Sequence, residues 1–175
     1  TEKSKIPVSH YQPKTKGDQE QISRLVDAIE SSKRPIFYTG GGVINSGPNA
    51  SKLLRELVDG TDFPITSTLM GLGAYPASGK RWLGMLGMHG SLEANKTMAN
   101  ADVILALGAR FDDRVTNNVE RFCPNATIIH VDIDPTSISK TINAHIPVVG
   151  LVEIVMQQLL DELDEINFKP DDAAL

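Results

Sequence analysis

Short, mostly apolar runs set between amphipathic helices constrain this chain more than any other feature. Val103 to Leu107, Thr127 to Val131 and Ile146 to Val149 are strand-length and lack the polar alternation of a half-exposed sheet. Pro35 to Tyr38 and Phe63 to Thr66 read the same way. Between them lie helical stripes. Asp18 is a cap for a first helix, with Gln21 completing a capping box and Ile22, Leu25, Val26 and Ile29 on one face. Ser46 with Pro48 opens a second, whose Leu53, Leu54, Leu57 and Val58 face inward and which Gly60 stops. Ser91 caps a third that runs to Asn100, and a last helix carries Val152, Val155, Met156, Leu159, Leu160 and Leu163. The stretch from Gly71 to Gly90 reads as too broken by glycine for a regular element. Strands buried on both sides need helices on both sides. The expected fold is therefore α/β, a Rossmann-like parallel sheet of five to six strands with helices on both faces.

Residues 1–17 hold Pro7, Pro13, Gly17 and four lysines without an apolar period, and read as a linker or arm. Residues 167–175, with Pro170, Asp171 and Asp172, read as a linker or tail. Residues 18–166 are the expected domain. Both ends have the composition of joints to further structure. A chain of 175 residues buries about 70% of its unfolded surface, so it needs neither disulfide nor metal to stay folded.

Seventeen basic against 22 acidic side chains give a net charge of −5, which argues against a nucleic-acid surface. The apolar runs are too short to cross a bilayer, and Thr1-Glu2-Lys3-Ser4 opens no leader pattern. A single cysteine, Cys123, makes no internal disulfide and fits a reducing compartment, so the expected location is cytoplasmic. Histidines 10, 89, 130 and 145 have no metal-ligand spacing, so no metal site is expected in this chain.

Ligands of open parallel sheets bind beyond the carboxyl ends of the strands, so the residues there are the candidates. Gly40-Gly41-Gly42 after the first strand allows close backbone approach to a ligand, or serves only as a tight strand–helix turn. The second strand runs into Thr66, Ser67 and Thr68. It lacks the acidic residue that a nicotinamide dinucleotide site places there. Gly108-Ala109-Arg110-Phe111-Asp112-Asp113-Arg114 offers two guanidinium groups suited to a pyrophosphate, or to pairing with the neighbouring aspartates. Asp132 is placed to accept from a ribose, and Asp134, before Pro135, to cap a short helix. Met85 and Met88 flank Gly87, as core packing or as a soft wall against a flat ring.

The segments GMLGMHG (84–90), NADVILALGARFDDRVT (100–116) and IIHVDIDPTSISK (128–140) together resemble the central domain of the acetohydroxyacid synthase family. This family is also called acetolactate synthase, large subunit, and is thiamine-diphosphate-dependent. The likeness runs from about Ile22 to Leu163. It implies a homo-oligomeric flavoprotein of branched-chain amino acid biosynthesis that works with a regulatory small subunit. Its substrates would be pyruvate and a second 2-ketoacid, pyruvate or 2-ketobutyrate. The resemblance lays FAD across this domain without using it as an electron carrier. Gly40, Gly41 and Gly42 would approach the FAD, with Thr68 and Leu69 beside it. Leu86, Gly87, Met88 and His89 would follow along it. Gly108, Ala109, Arg110, Asp112, Arg114 and Val115 would hold its middle, and Asp132 with Ile133 its adenosine end. Met88, Asp113 and Arg114 would also face the substrate channel.

The family usually has Gly-Asp after the last strand, where this chain has Gly150-Leu151, so a helix-capping carboxylate near the adenine is missing. The family's catalytic glutamate belongs to another domain. So does the Gly-Asp-Gly motif that holds thiamine diphosphate and Mg2+. These residues by themselves are thus expected to carry no catalytic group and not to turn over pyruvate. The alternative expectation is a non-catalytic scaffold domain whose nucleotide site is vestigial or filled by ADP.

Overall fold

The computed structural model describes residues 12–116, 118 and 121–170, the side chains of Asp113 and Arg114 excepted. Six strands form one sheet: β1 (Pro35–Thr39), β2 (Ile65–Ser67), β3 (Trp82–Met85), β4 (Val103–Leu107), β5 (Thr127–Asp132) and β6 (Ile146–Val149). Their order is β3-β2-β1-β4-β5-β6 and every pairing is parallel. The chain thus builds outward from β1 to β3, returns to lay β4 on the other side of β1, and builds outward again. The reversal of direction falls between β1 and β4.

Alternation along the strands separates two cores. Phe37, Leu105, Ile129 and Val148 join one cluster, together with the buried stripes of α1 (Gln19–Ser31), α3 (Pro48–Thr61) and α6 (Val152–Glu165). Ile36, Tyr38, Ile104, Ala106 and Ile128 join the other, covered by α4 (Leu92–Asn100) and by Phe111, Cys123 and Ile142 from loops. Both faces of the sheet are covered, as burial at every position of β1 and β4 requires.

Several local expectations are corrected. The glycine-rich stretch does contain a strand: β3 pairs with β2 through an irregular register, and Gly84 within it has φ of 93°. The helix expected from Ser46 forms, but it starts at Pro48 and an extra short helix precedes it. Ser46 instead ends the short α2 (Gly41–Asn45), and α3 is capped by Gly47 at φ 97°. Gly60 does not stop α3, which continues to Thr61 and ends on Asp62 in the left-handed region. Asp18 caps α1 through Glu20 and Gln21 N–H, but the Gln21 side chain accepts from Arg24 instead of closing a capping box. Asp134 caps no helix; its carboxylate accepts from Thr136 in a turn.

The ends of the domain are tied down. Leu151 N–H donates to the Thr15 carbonyl at 2.9 Å, and Gln158 pairs with both main-chain groups of Gly17. Phe168 packs edge-on against Phe63 at 6.2 Å, so part of the stretch read as tail joins the first core. Leu151 stands at the N-cap of α6 with no side-chain cap, where a carboxylate would answer a free N–H. No helix among the described residues is long and apolar enough to cross a membrane.

Candidate functional site

The reversal between β1 and β4 brings their carboxyl-end loops together, which is where a doubly wound sheet opens a crevice. Gly40 N–H donates to the Leu107 carbonyl at 3.1 Å and Gly42 N–H to the Gly108 carbonyl at 3.0 Å. A Cβ built on Gly42 would lie 2.7 Å from Gly108 Cα, and Gly108 itself has φ of 57°. Gly40 and Gly42 therefore let two loop backbones touch, while Gly41 faces Met70. Beside this contact lies a cleft of about 800 Å³, near the upper end of the usual range for small-molecule sites.

Every strand end from β1 to β5 contributes to the cleft. Gly41, Gly42 and Asn45 come from beyond β1, and Thr68, Leu69 and Met70 from beyond β2. Met85, Leu86, Gly87, Met88 and His89 line it from β3 and the loop beyond. Gly108, Arg110, Asp112 and Val115 follow β4, and Asp132, Ile133 and Ser137 close it from β5. Of the candidate residues, Gly40 and Ala109 do not line the cleft; they form the backbone contact beneath it. The side chains of Asp113 and Arg114 lie outside the described residues, although both belong to the short α5 (Asp113–Thr116). Leu151 is absent from the lining, so the missing carboxylate leaves the cleft wall as it is.

Polar and apolar side chains share the lining. Arg110 is exposed and makes no ion pair with Asp112, so its five donors face solvent and cleft. The alternative expectation, an arginine tied up by its neighbouring aspartate, does not hold for this pair. Asp132 Oδ1 accepts from Asp134 N–H at 2.9 Å, which holds the carboxylate at the rim. Leu69, Met70 and Met88 are all more than two-thirds exposed, forming an apolar lip opposite Arg110 and Asp132. Such a site suits a ligand with an anionic stretch and a flat apolar end. Asn45, Met70, Met85 and Ser137 were not reached by sequence reasoning as site residues. Met85 was read as core packing or as a soft wall against a flat ring, and Met70 carries no motif that distinguishes it from a core methionine.

Beneath the Arg110–Asp112 loop, Phe111 contacts three rings, Tyr38 at 5.4 Å, Phe122 at 5.8 Å and His130 at 5.4 Å. Burial, reinforced by the Asp112 charge, pushes the Tyr38 hydroxyl pKa far above its ordinary value, so it stays neutral. Burial likewise pushes the Cys123 thiol up to about 11, and its sulfur donates to the Met98 carbonyl, which makes it inert packing. Among the described residues no group of three or more potential ligands gathers for a metal.

His130 is 1% exposed, and neither ring nitrogen has a hydrogen-bond partner. Burial lowers its pKa below the ordinary 6.5, opposed by the Asp132 carboxylate 3.9 Å away and by the Ala109 main chain, which lies near the ring without completing a hydrogen bond of normal geometry. The unfolded chain then takes up a proton before the folded one does. Stability from this group is full above the unfolded value and declines as pH falls below it. His130→Leu should be at least as stable as the parent and should flatten this decline. Urea unfolding at about pH 7.5 and about pH 5.5 measures both effects. An equal loss on acidification in both proteins would place the titrating group elsewhere.

Comparison with known proteins bears on the whole domain. Residues 22–159 match the family described as thiamine pyrophosphate enzyme, central domain. The acetolactate synthase large subunit of Buchnera aphidicola subsp. Schlechtendalia chinensis is 55% identical over 155 residues, covering 89% of this chain and 27% of that protein. The acetolactate synthase isozyme 3 large subunit of Escherichia coli (strain K12) is 50% identical over 160 residues, 91% of this chain and 28% of that protein. A probable acetolactate synthase large subunit of Methanocaldococcus jannaschii is 43% identical over 166 residues, 95% of this chain and 28% of that protein. The chain thus spans a little over a quarter of the length of the curated relatives it matches.

Proposed function

Because this chain belongs to the thiamine pyrophosphate enzyme central-domain family, we propose that it is the FAD-binding middle domain of an acetolactate synthase large subunit. The observation that carries the reading is the convergence of five strand ends on one cleft, with Arg110 free of ion pairs among the described residues on one side and an apolar lip on the other. The extent of the cleft fits an extended dinucleotide better than a mononucleotide. Arg110 meets the pyrophosphate as a charge-assisted donor. The Asp132 carboxylate accepts from a ribose hydroxyl, and Leu86, Met88 and the backbone of Gly87 flank the flavin ring. The flavin serves the site as a bound structural group and not as an electron carrier.

Thiamine diphosphate, held with Mg2+ by other domains of the full-length protein, supplies the chemistry that decarboxylates pyruvate and joins the two-carbon unit to a second 2-ketoacid. The contribution of this domain is to bind the FAD and to line the approach to that centre, through Met88 and through Asp113 and Arg114. The residues described here carry none of the family's catalytic groups, so this stretch alone is inactive. The full-length protein is a cytoplasmic homo-oligomer that pairs with a regulatory small subunit and accepts pyruvate or 2-ketobutyrate.

The test is flavin retention. The full-length protein is purified and denatured, and the released chromophore is measured by absorbance and fluorescence. Near-stoichiometric FAD is expected, and FAD at 100 times its dissociation constant should add about 2.7 kcal/mol to stability. A full-length protein that neither carries nor takes up FAD ends the reading. One that carries ADP in the same cleft replaces it with the scaffold alternative.

A further inference from the structure

The wall of the cleft beyond β3 is anchored at Leu86, which is buried in the second core, but the residues after it are not held by their own side chains. Met88 is 73% exposed and His89 is also exposed, so neither packs firmly enough to fix the segment. The β-ladder ends one residue earlier, where Leu86 N–H donates to the Ser67 carbonyl at 3.0 Å. Gly87 then turns the chain with φ of 109°. Gly90 N–H donates to the Gly87 carbonyl at 2.9 Å within the turn, and the rest of the grip comes from a side chain of α4. Asn95 Oδ1 accepts from Gly87 N–H at 3.2 Å, and Asn95 Nδ2 donates to the Gly87 carbonyl at 3.0 Å. The same Nδ2 donates to the Ser91 carbonyl at 2.9 Å. One amide thus answers both main-chain groups of Gly87 and ties them to the first turn of α4.

The chemistry admits few substitutes. The position needs one acceptor and two donors on a short planar group, which asparagine supplies and aspartate does not. The amide orientation is fixed too, since a flip would face donor to donor and acceptor to acceptor. Asparagine is also a poor residue within a helix, because its side chain competes for the backbone. Its presence four residues into α4 is explained by the grip.

We propose that Asn95 is the positioning residue of the cleft, fixing the Gly87 main chain so that Leu86, Met88 and His89 stand as one wall against the bound ligand. The proposal rests on the reading of the cleft as an FAD site, and its test separates the two. In the full-length protein, FAD affinity and amide hydrogen exchange of the ligand-free state are measured for wild type, Asn95→Ala, Asn95→Asp and Asn100→Ala. Asn100 lies on the same helix and its side chain bonds to the Lys96 carbonyl of its own turn, while alanine keeps the main-chain carbonyl that accepts from Arg34, so it reports loss of helix stability alone. Asn95→Ala is expected to weaken FAD by about tenfold or more. It should also speed exchange at the Gly87 and Met88 amides, leaving those of β4 unchanged. Asn95→Asp keeps the acceptor but sets a carboxylate against two carbonyls, so it should resemble Asn95→Ala; it carries both readouts if the alanine variant fails to fold. Asn100→Ala should match wild type.

Unchanged exchange at Gly87 and Met88, or acceleration spread evenly through α4 and β4, overturns the proposal even where wild type binds FAD. Local acceleration with unaltered FAD affinity also overturns it, because the wall would then be held without serving the ligand. A wild type that binds no FAD ends the functional reading, and the proposed service to the ligand ends with it.

Discussion

Gly40→Ala should be among the most damaging single-methyl additions in the domain, lowering stability by about 3 kcal/mol and dislodging the loop that carries Arg110. The backbone of Gly40 is extended at φ −130°, which any residue adopts, so the cost is not conformational. It is steric. A Cβ there would stand against the Gly108 carbonyl and 2.6 Å from Ala109 Cα. Both obstacles are main chain, and neither can rotate away as a side chain would. The loop after β4 must move, and it takes Arg110 and Asp112 from the cleft with it. Gly60→Ala is the matched comparison. It lies inside α3 with nothing within 4 Å of its added methyl, so it should raise stability by roughly 0.5–1 kcal/mol. Urea denaturation of the parent and both variants gives the two shifts, with opposite signs. A Gly40→Ala protein as stable as the parent would mean that the β1 and β4 loops do not meet as described.

That contrast marks what the sequence could and could not convey. Strands buried on both faces announce themselves by composition, so β1, β4, β5 and β6 and the parallel architecture were legible. The four-residue stripe of α1 was legible for the same reason, because burial of one face imposes its period. Glycines were harder. Gly60 reads as a helix stop but is an ordinary helical position, since Asp62 adopts the left-handed conformation that ends α3. Gly84 reads as a strand breaker, yet β3 forms around it, because an edge strand paired on one side tolerates a residue at φ 93°. Gly40 and Gly42 read as a ligand cradle or a tight turn; both press on protein backbone, and Gly42 also lines the cleft. A glycine reveals that something comes close, not what comes close. The cleft was legible as a set of strand ends because the parallel topology forces those ends onto one edge. Asn45, Met70 and Ser137 were not, since their place in the wall depends on where loops fold back.

Arg110→Ala should then weaken FAD binding in the full-length protein by about 10- to 150-fold while leaving the unfolding midpoint of the FAD-free protein unchanged. The affinity loss follows from the side chain itself. A hydrogen bond to a charged group is worth about 1.5–3 kcal/mol, and every 1.4 kcal/mol is tenfold. The unchanged midpoint follows from its surroundings. Arg110 is exposed and has no ion-pair partner among the described residues, so its removal strands no buried charge. Only its main chain is structural, since the Arg110 carbonyl accepts from the Tyr38 hydroxyl, and alanine keeps that carbonyl. Arg110→Lys sharpens the argument. Lysine restores the charge but not the planar fork that bridges two phosphate oxygens, so it should recover part of the affinity and not all of it. Full recovery by lysine would make the contact a point charge at the rim. Unaltered affinity in both variants would remove the guanidinium from the pyrophosphate and leave the cleft to the scaffold reading.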